Sequence, residues 1–162
     1  MASIFTTARS TFSISTTNAA PGTFDGTGYA ALTFAQVCPL ETLGTFGTAF
    51  DVVTFDDICS GNRQKIKGIN DNGDLEVVFA YDDTNAGQGH IETAAADTGA
   101  LDWHFKVTLP NKQTIAGDDA VIYFSGKVVS NTIAAGGAND VVKRNVTIAI
   151  TRELVISDST DS

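Results

Sequence analysis

Apolar and polar residues alternate along most of this chain, and helical spacing is scarce. Phe12 and Ile14 alternate with serines over residues 11–15, which predicts a short first strand. Residues 31–41 carry Leu32, Phe34 and Val37 and are ended or bent at Pro39, which has no N–H for a sheet ladder. A third strand is predicted over 50–55. The clearest middle strand is 75–81, with Leu75, Val77, Phe79 and Tyr81 on one face. Beyond Asp102, Trp103, Phe105, Val107 and Leu109 alternate with polar residues until Pro110 ends the run. Residues 120–131 follow, apolar on both parities at first. The last strand, 140–152, places Val142, Val146, Ile148 and Ile150 on one face. The one helix predicted is 88–98, where Ala94, Ala95 and Ala96 supply propensity and Gly99 stops it. Its Ile91, Ala94 and Ala95 are expected to face the core, with Glu92 and Asp97 turned outward or toward a neighbour. The sum is a mainly β chain: an antiparallel β-sandwich or squat barrel of about seven strands, flanked by one short α-helix.

The segment 56–74 breaks the pattern. It has few apolar residues and no helical period, and reads as an extended excursion, either a loop or a splayed hairpin. Arg63, Lys65 and Lys67 stand at i, i+2 and i+4, so an extended backbone points all three to one side. The domain layout that follows is an N-terminal arm, first strand and loop over 1–30, a β-sandwich domain over 31–156 with 56–74 projecting, and a flexible tail over 157–162.

Charge and chemistry narrow the function. The formal net charge is −9, which argues against tight nucleic-acid binding, whose affinity comes from cations neutralising phosphates. An acidic wall does suit a conduit that must not adhere to DNA. No apolar run is long enough for a transmembrane helix and no signal-peptide pattern opens the chain, so a cytoplasmic product without membrane contact is expected. Cys38 and Cys59 read as two reduced thiols, with a disulfide as the alternative. His90 and His104 do not form a metal-ligand pattern. Asn70, Asn72 and Asp74 imitate the alternating oxygens of a calcium loop, but Leu75 stands where glycine is needed and Tyr81 where glutamate is needed. The pairs Asp56-Asp57, Asp82-Asp83 and Asp118-Asp119 fall beside turns or strand ends, as solvated acids do. Neither an enzyme nor a cofactor is implied.

An ordered series of turn motifs carries a resemblance. Gly44-x-Phe46-Gly47 is followed by Phe55-x-x-Ile58, Lys65-x-Lys67-Gly68, Asp71-x-Gly73-x-Leu75 and Asp82-x-x-x-Ala86-Gly87-Gln88, which leads into the helix. With the strand that ends at Pro110-Asn111 and a closing hairpin up to Arg152, the chain over roughly 31–152 resembles the major tail tube proteins of long, non-contractile-tailed bacteriophages. The Ser/Thr-rich N-terminus and Lys112, where the family's turn often has Gly, depart from that pattern. The resemblance implies a structural virion protein, assembled in the host cytoplasm into homo-hexameric rings that stack as the tail tube. Its partners would be copies of itself, the tape measure protein and the tail terminator and distal tail proteins, with DNA passing through without specific binding. Inter-subunit contacts are expected at Phe46, Gly47, Asp56, Asp57, Arg63, Lys65, Lys67, Asp82 and Asp83. A virion-surface or adhesin-like β-sandwich that binds a ligand is the alternative, as is a tube protein similar to that of type VI secretion systems.

Overall fold

A computed structural model describes residues 4–159. In chain order the elements are β1 (Thr11–Ser15), α1 (Gly26–Ala30), β2 (Phe34–Gln36), β3 (Leu40–Leu43), β4 (Ala49–Asp57), β5 (Asn62–Asp71), β6 (Asp74–Ala80), α2 (Ala86–Ala96), β7 (Trp103–Leu109), β8 (Ala120–Ala134), β9 (Lys143–Ile150) and β10 (Val155–Ser157). Eight strands form one antiparallel sheet in the order β2-β1-β7-β8-β9-β6-β3, with β10 also on β8, while β4 and β5 pair only with each other.

The long strand β8 is the spine. Its first half pairs β7, from Leu109↔Ala120 to Trp103↔Gly126. Its second half pairs β9, from Gly126↔Ile150 to Ala134↔Lys143, across a register shift between Val128 and Ser130. Such a bulge bends and twists a strand. Gly126 lies where both neighbours meet, and a Cβ there would stand 2.4 Å from the Ala149 carbonyl oxygen, so only glycine fits. The two wings face each other as a sandwich over one core. Phe12, Phe105 and Phe124 come from the β1-β7-β8 wing, and Leu75, Val77, Phe79, Val146 and Ile148 from the β6-β9 wing. Phe105 stacks on both Phe12 and Phe124, at centroid distances of 5.8 and 5.2 Å. Burying each such ring contributes roughly 1.5–3 kcal/mol.

Helix α2 closes one side of this core. The Asn85 side chain caps it by accepting from the Gln88 N–H at 3.0 Å. Ile91 and Ala94 are buried. Buried Gln88 then bolts the helix to the sheet: its Nε2 donates to the carbonyls of Cys38 and Ala80, both at 2.8 Å, and its Oε1 accepts from the Asp82 N–H at 3.0 Å. Gly87 lets the helix approach; a Cβ would come within 2.3 Å of the Gln36 carbonyl oxygen.

The structure corrects several expectations. Among the described residues ten strands stand where about seven are predicted. The predicted 31–41 strand is two, β2 and β3, broken around Pro39, and β10 forms at the end of the predicted domain, where no strand is predicted. Of the two alternatives for 56–74, the hairpin is correct: its second strand is β5. Helix α2 starts two residues earlier than predicted and ends at Ala96. A five-residue helix, α1, stands in a segment that reads as loop; Asp25 caps it by accepting from the Gly28 N–H at 2.8 Å. Tyr81 leaves the core face and is exposed, as is Val142, whereas Arg144 takes an inward position and is 3% exposed. Asp97 turns inward to accept from the Trp103 indole at 3.0 Å and the Asn18 amide at 3.1 Å. Part of the predicted flexible tail, 160–162, lies outside the described residues.

His104, on a polar strand face by sequence, is buried. One ring nitrogen, Nε2, lies 3.0 Å from the Ala19 carbonyl and must be its donor. The other, Nδ1, then accepts from the Ser125 hydroxyl at 2.8 Å, and Ser125 in turn accepts from the Tyr29 hydroxyl at 2.7 Å. This neutral imidazole ties the 16–33 segment to the sheet. Burial is the main reason its pKa is lowered, against the opposing pull of the Ala19 carbonyl and Asp102. The unfolded chain therefore binds a proton that the native state refuses. The His104 contribution is complete above the unfolded value of about 6.5 and is lost as pH falls from there through the folded pKa. Melting curves between pH 7.5 and 5 should show the midpoint falling, and His104→Asn should flatten that slope; an unchanged slope in the variant would place the effect elsewhere. The lowered carboxylates Asp25, Asp57, Asp82 and Asp97 act at lower pH, near and below the usual carboxylate range.

Candidate assembly interface

β4 and β5 form a two-stranded ribbon that leaves the sandwich. Each makes extensive contact with the other and with no other element. The turn at its tip is set by Asp57, whose carboxylate accepts from the Cys59 N–H at 2.9 Å and the Ser60 hydroxyl at 2.7 Å, and by Gly61 at φ +68. These two hydrogen bonds, Ser60 first, hold the Asp57 carboxyl below its ordinary pKa.

Register sorts the ribbon's side chains into two faces. Asp56↔Arg63, Thr54↔Lys65 and Val52↔Lys67 are directly opposed, so all three cations share one face. Phe55↔Gln64 and Val53↔Ile66 form the other. Val53, Phe55 and Ile66 are 52%, 58% and 56% exposed, side by side. An isolated two-stranded hairpin is at best marginal in water. This one presents apolar side chains that its own chain does not cover.

The three cations differ in their engagement. Arg63 is held by Asp56 through Nε–Oδ1 at 2.6 Å and Nη2–Oδ2 at 3.3 Å, an exposed pair worth about 0–1 kcal/mol. Lys67 places its Nζ 3.4 Å from the Phe50 ring centroid. Lys65 has neither an ion pair nor a ring contact among the described residues.

The remaining predicted contact residues lie on the sandwich. Phe46 packs against the core, with its ring 5.9 Å from Phe124, so it belongs to the fold's rim more than to an open surface. Gly47 lies in the connection that leads into β4. Asp82 accepts from the Thr84 N–H at 2.9 Å and hydroxyl at 2.7 Å, a local turn that lowers its pKa, and Asp83 beside it is exposed. Both border a small recess with Tyr81, Gln88, Glu92 and Arg144. The Arg144 guanidinium lies 4.8 Å from the Tyr81 ring centroid and donates from Nη2 to Glu92. The sequence pointed to Asp82 and Asp83 but not to Arg144 beside them; β9, the chain just after β6 and α2 bring these side chains together. The apolar face of the ribbon was also missed, although Ile66 between two lysines is its trace in the sequence. Among the described residues no group of three or more metal-ligating side chains exists, and no helix is long and apolar enough to cross a membrane.

No protein-family model matches the sequence, and no curated protein matches it significantly. Solved structures do match. The sheath/tube terminator of the PVC extracellular contractile injection system, in its extended state, superposes with a TM-score of 0.68 at 10% identity, covering 96% of this chain and 98% of that one. A chain of the anti-feeding prophage baseplate, 6-fold symmetrised, gives 0.70 at 7% identity, covering 98% of both. The SPP1 tail tube gives 0.60 at 15% identity, over 94% of this chain and 78% of that one. The chain has the fold shared by these tube and tube-associated proteins.

Proposed function

We propose that this protein is a structural subunit that assembles with copies of itself into rings, and that the rings stack into the tail tube of a virion. Its fold supports this reading, but the observation that carries it is the ribbon, an element with two largely uncovered faces whose extensive contacts are only between its own two strands. Rings require a contact between two different surfaces of identical subunits. The wing β8-β9-β6-β3 offers a pair of unpaired edges for it. One is β3, and the other is the side of β8 beyond Gly126, past the end of β7. Joined edge to edge between neighbours, these wings would continue one sheet around a bore, which removes both edges from solvent. With a net charge of −9 on every copy, such a bore would repel DNA from its wall. Tape measure and terminator proteins are the partners such a tube requires, and DNA is its cargo.

The long non-contractile phage tail is the particle favoured by the turn motifs between Gly44 and Gln88. The tube of a contractile particle is the second reading, favoured by the similarity to the contractile injection chain, 98% of which is covered. Both readings make the same first test. Purified protein, concentrated and viewed by negative-stain electron microscopy, should form hollow tubes or stacked rings. Persistent monomers or trimers at every concentration and salt would instead support a ligand-binding β-sandwich.

A further inference from the structure

We infer that segment 16–33 is an acid-released flap, latched onto the outer face of β7 and β8 by His104 and freed when that imidazole gains a second proton. The latch acts within one copy of the chain, so it stands or falls separately from the tube reading.

Register places the latch. His104 lies opposite Ser125 and Lys106 opposite Tyr123, on the face of β7 and β8 turned away from the core pair Phe105↔Phe124. Segment 16–33 leaves β1 and returns in β2, and the Thr16 N–H closes its base by donating to the Thr33 carbonyl at 3.0 Å. Two points along it reach the same relay: the Ala19 carbonyl accepts from His104 Nε2, and the Tyr29 hydroxyl meets Ser125. Tyr29 is fully buried and stacks on Tyr123 at a centroid distance of 5.5 Å. Both tyrosines lie outside the main core cluster, so the segment can lift without unpacking the sandwich.

The relay is satisfied in one protonation state only. With His104 neutral, every proton has a taker: Nε2–H donates to the Ala19 carbonyl, the Ser125 hydroxyl to Nδ1, and the Tyr29 hydroxyl to Ser125. A proton on Nδ1 turns that acceptor into a second donor aimed at Ser125 Oγ. Ser125 must then accept from the imidazolium, and its own hydrogen either finds no acceptor or displaces that of Tyr29. One buried hydroxyl proton is left without a partner, and a charge is added to a buried site. The surrounding groups do not compensate. Asp102, before β7, favours the charged form but is already paired with Lys127 at 3.3 Å, and Arg152, after β9, opposes it. β1 brings no titratable group; β7 brings Lys106, β8 brings Tyr123 and Lys127, and the segment itself brings Tyr29 and Asp25, which caps α1. Burial outweighs these effects and lowers the pKa of His104. A recess of about 130 Å³, walled by Asn18, Phe24, Asp102 and Arg152, borders the imidazole and gives protons a way in. The latch is therefore complete above the ordinary imidazole value of about 6.5 and is lost as pH falls from there through the lowered pKa.

Hydrogen–deuterium exchange of the full chain between pH 7.5 and 5, corrected for the intrinsic pH dependence of exchange, tests the flap. Peptides from 16–33 should exchange faster as pH falls, approaching about tenfold per pH unit below about 6.5, as release by a single proton requires. Peptides from β6 and β9 should stay protected. His104→Asn should make exchange of 16–33 independent of pH, and His90→Asn, on α2, should respond like the wild type. The imidazole resonances of the wild type give a second readout: His104 should titrate over the same interval in which the segment opens. That comparison decides the matter even if His104→Asn fails to fold. The flap is overturned if exchange of 16–33 at pH 5 is unchanged, or if β6 and β9 lose protection together with it. A pH response that survives His104→Asn, or that departs from the His104 titration, overturns it equally.

Discussion

Ile91→Asp should melt well below the wild type, by about 4 kcal/mol or on the order of 10 °C for a domain of this size. Ile91 is fully buried on the inner side of α2 and belongs to the main core cluster. A carboxylate there meets aliphatic and aromatic neighbours and must either ionise without a partner or hold a proton against its ordinary pKa. The helix has no room to escape, because Gly87 is already against the Gln36 backbone and Gln88 is fixed to the carbonyls of Cys38 and Ala80. Ile91→Val, which removes one methylene, should cost only about 1 kcal/mol and serves as the control. Thermal melts of the two variants give the comparison. An Asp variant that melts with the wild type would mean that α2 is not docked as described.

Strands that bury one face were legible because burial leaves a period-two trace. β6, β7 and β9 were found from Leu75-Val77-Phe79, Trp103-Phe105-Val107 and Val146-Ile148-Ile150, and these side chains are all buried. β5 was ambiguous for the converse reason. Asn62, Arg63, Gln64 and Lys65 alternate nothing, because within one chain neither of their faces is covered. The helix α1 is only five residues long and contains Gly26 and Gly28, which read as turn residues. Gly28 is there for space: a Cβ would fall 1.9 Å from the Thr23 carbonyl oxygen. Arg144 was misplaced because a charge at a core position breaks the alternation that identifies the core. Its burial depends on Tyr81 and Glu92, more than fifty residues away in sequence, and local pattern cannot supply them. For the candidate interface, spacing did indicate that three cations share a side. It could not indicate that Arg63 is already occupied by Asp56, which leaves Lys65 as the most available of the three.

Removing the ribbon should separate folding from assembly. If Val53–Ile66 is replaced by Asn-Gly, the pair Val52↔Lys67 is left to close on a two-residue turn of the type that hairpins prefer. The sandwich should not notice. Neither β4 nor β5 supplies a residue to the core, and changes at sites that share no partners leave one another's energetics nearly intact. The melting temperature should stay within a few degrees of wild type and the circular dichroism should keep its β character. Assembly should behave differently. Burying Val53, Phe55 and Ile66 on a neighbour is worth roughly 1.5 kcal/mol or more for each side chain that becomes fully covered. Losing about 4 kcal/mol per contact raises the concentration needed for assembly on the order of a thousandfold, beyond what a concentrated solution reaches. Light scattering of the truncated chain should therefore remain flat where the wild type polymerises. Tubes forming at the wild-type concentration would make the ribbon an ornament on an interface that lies elsewhere. A melting point lowered by ten degrees or more would make it part of the fold. Only a folded chain that has lost the capacity to polymerise fits an element whose contacts are made between copies.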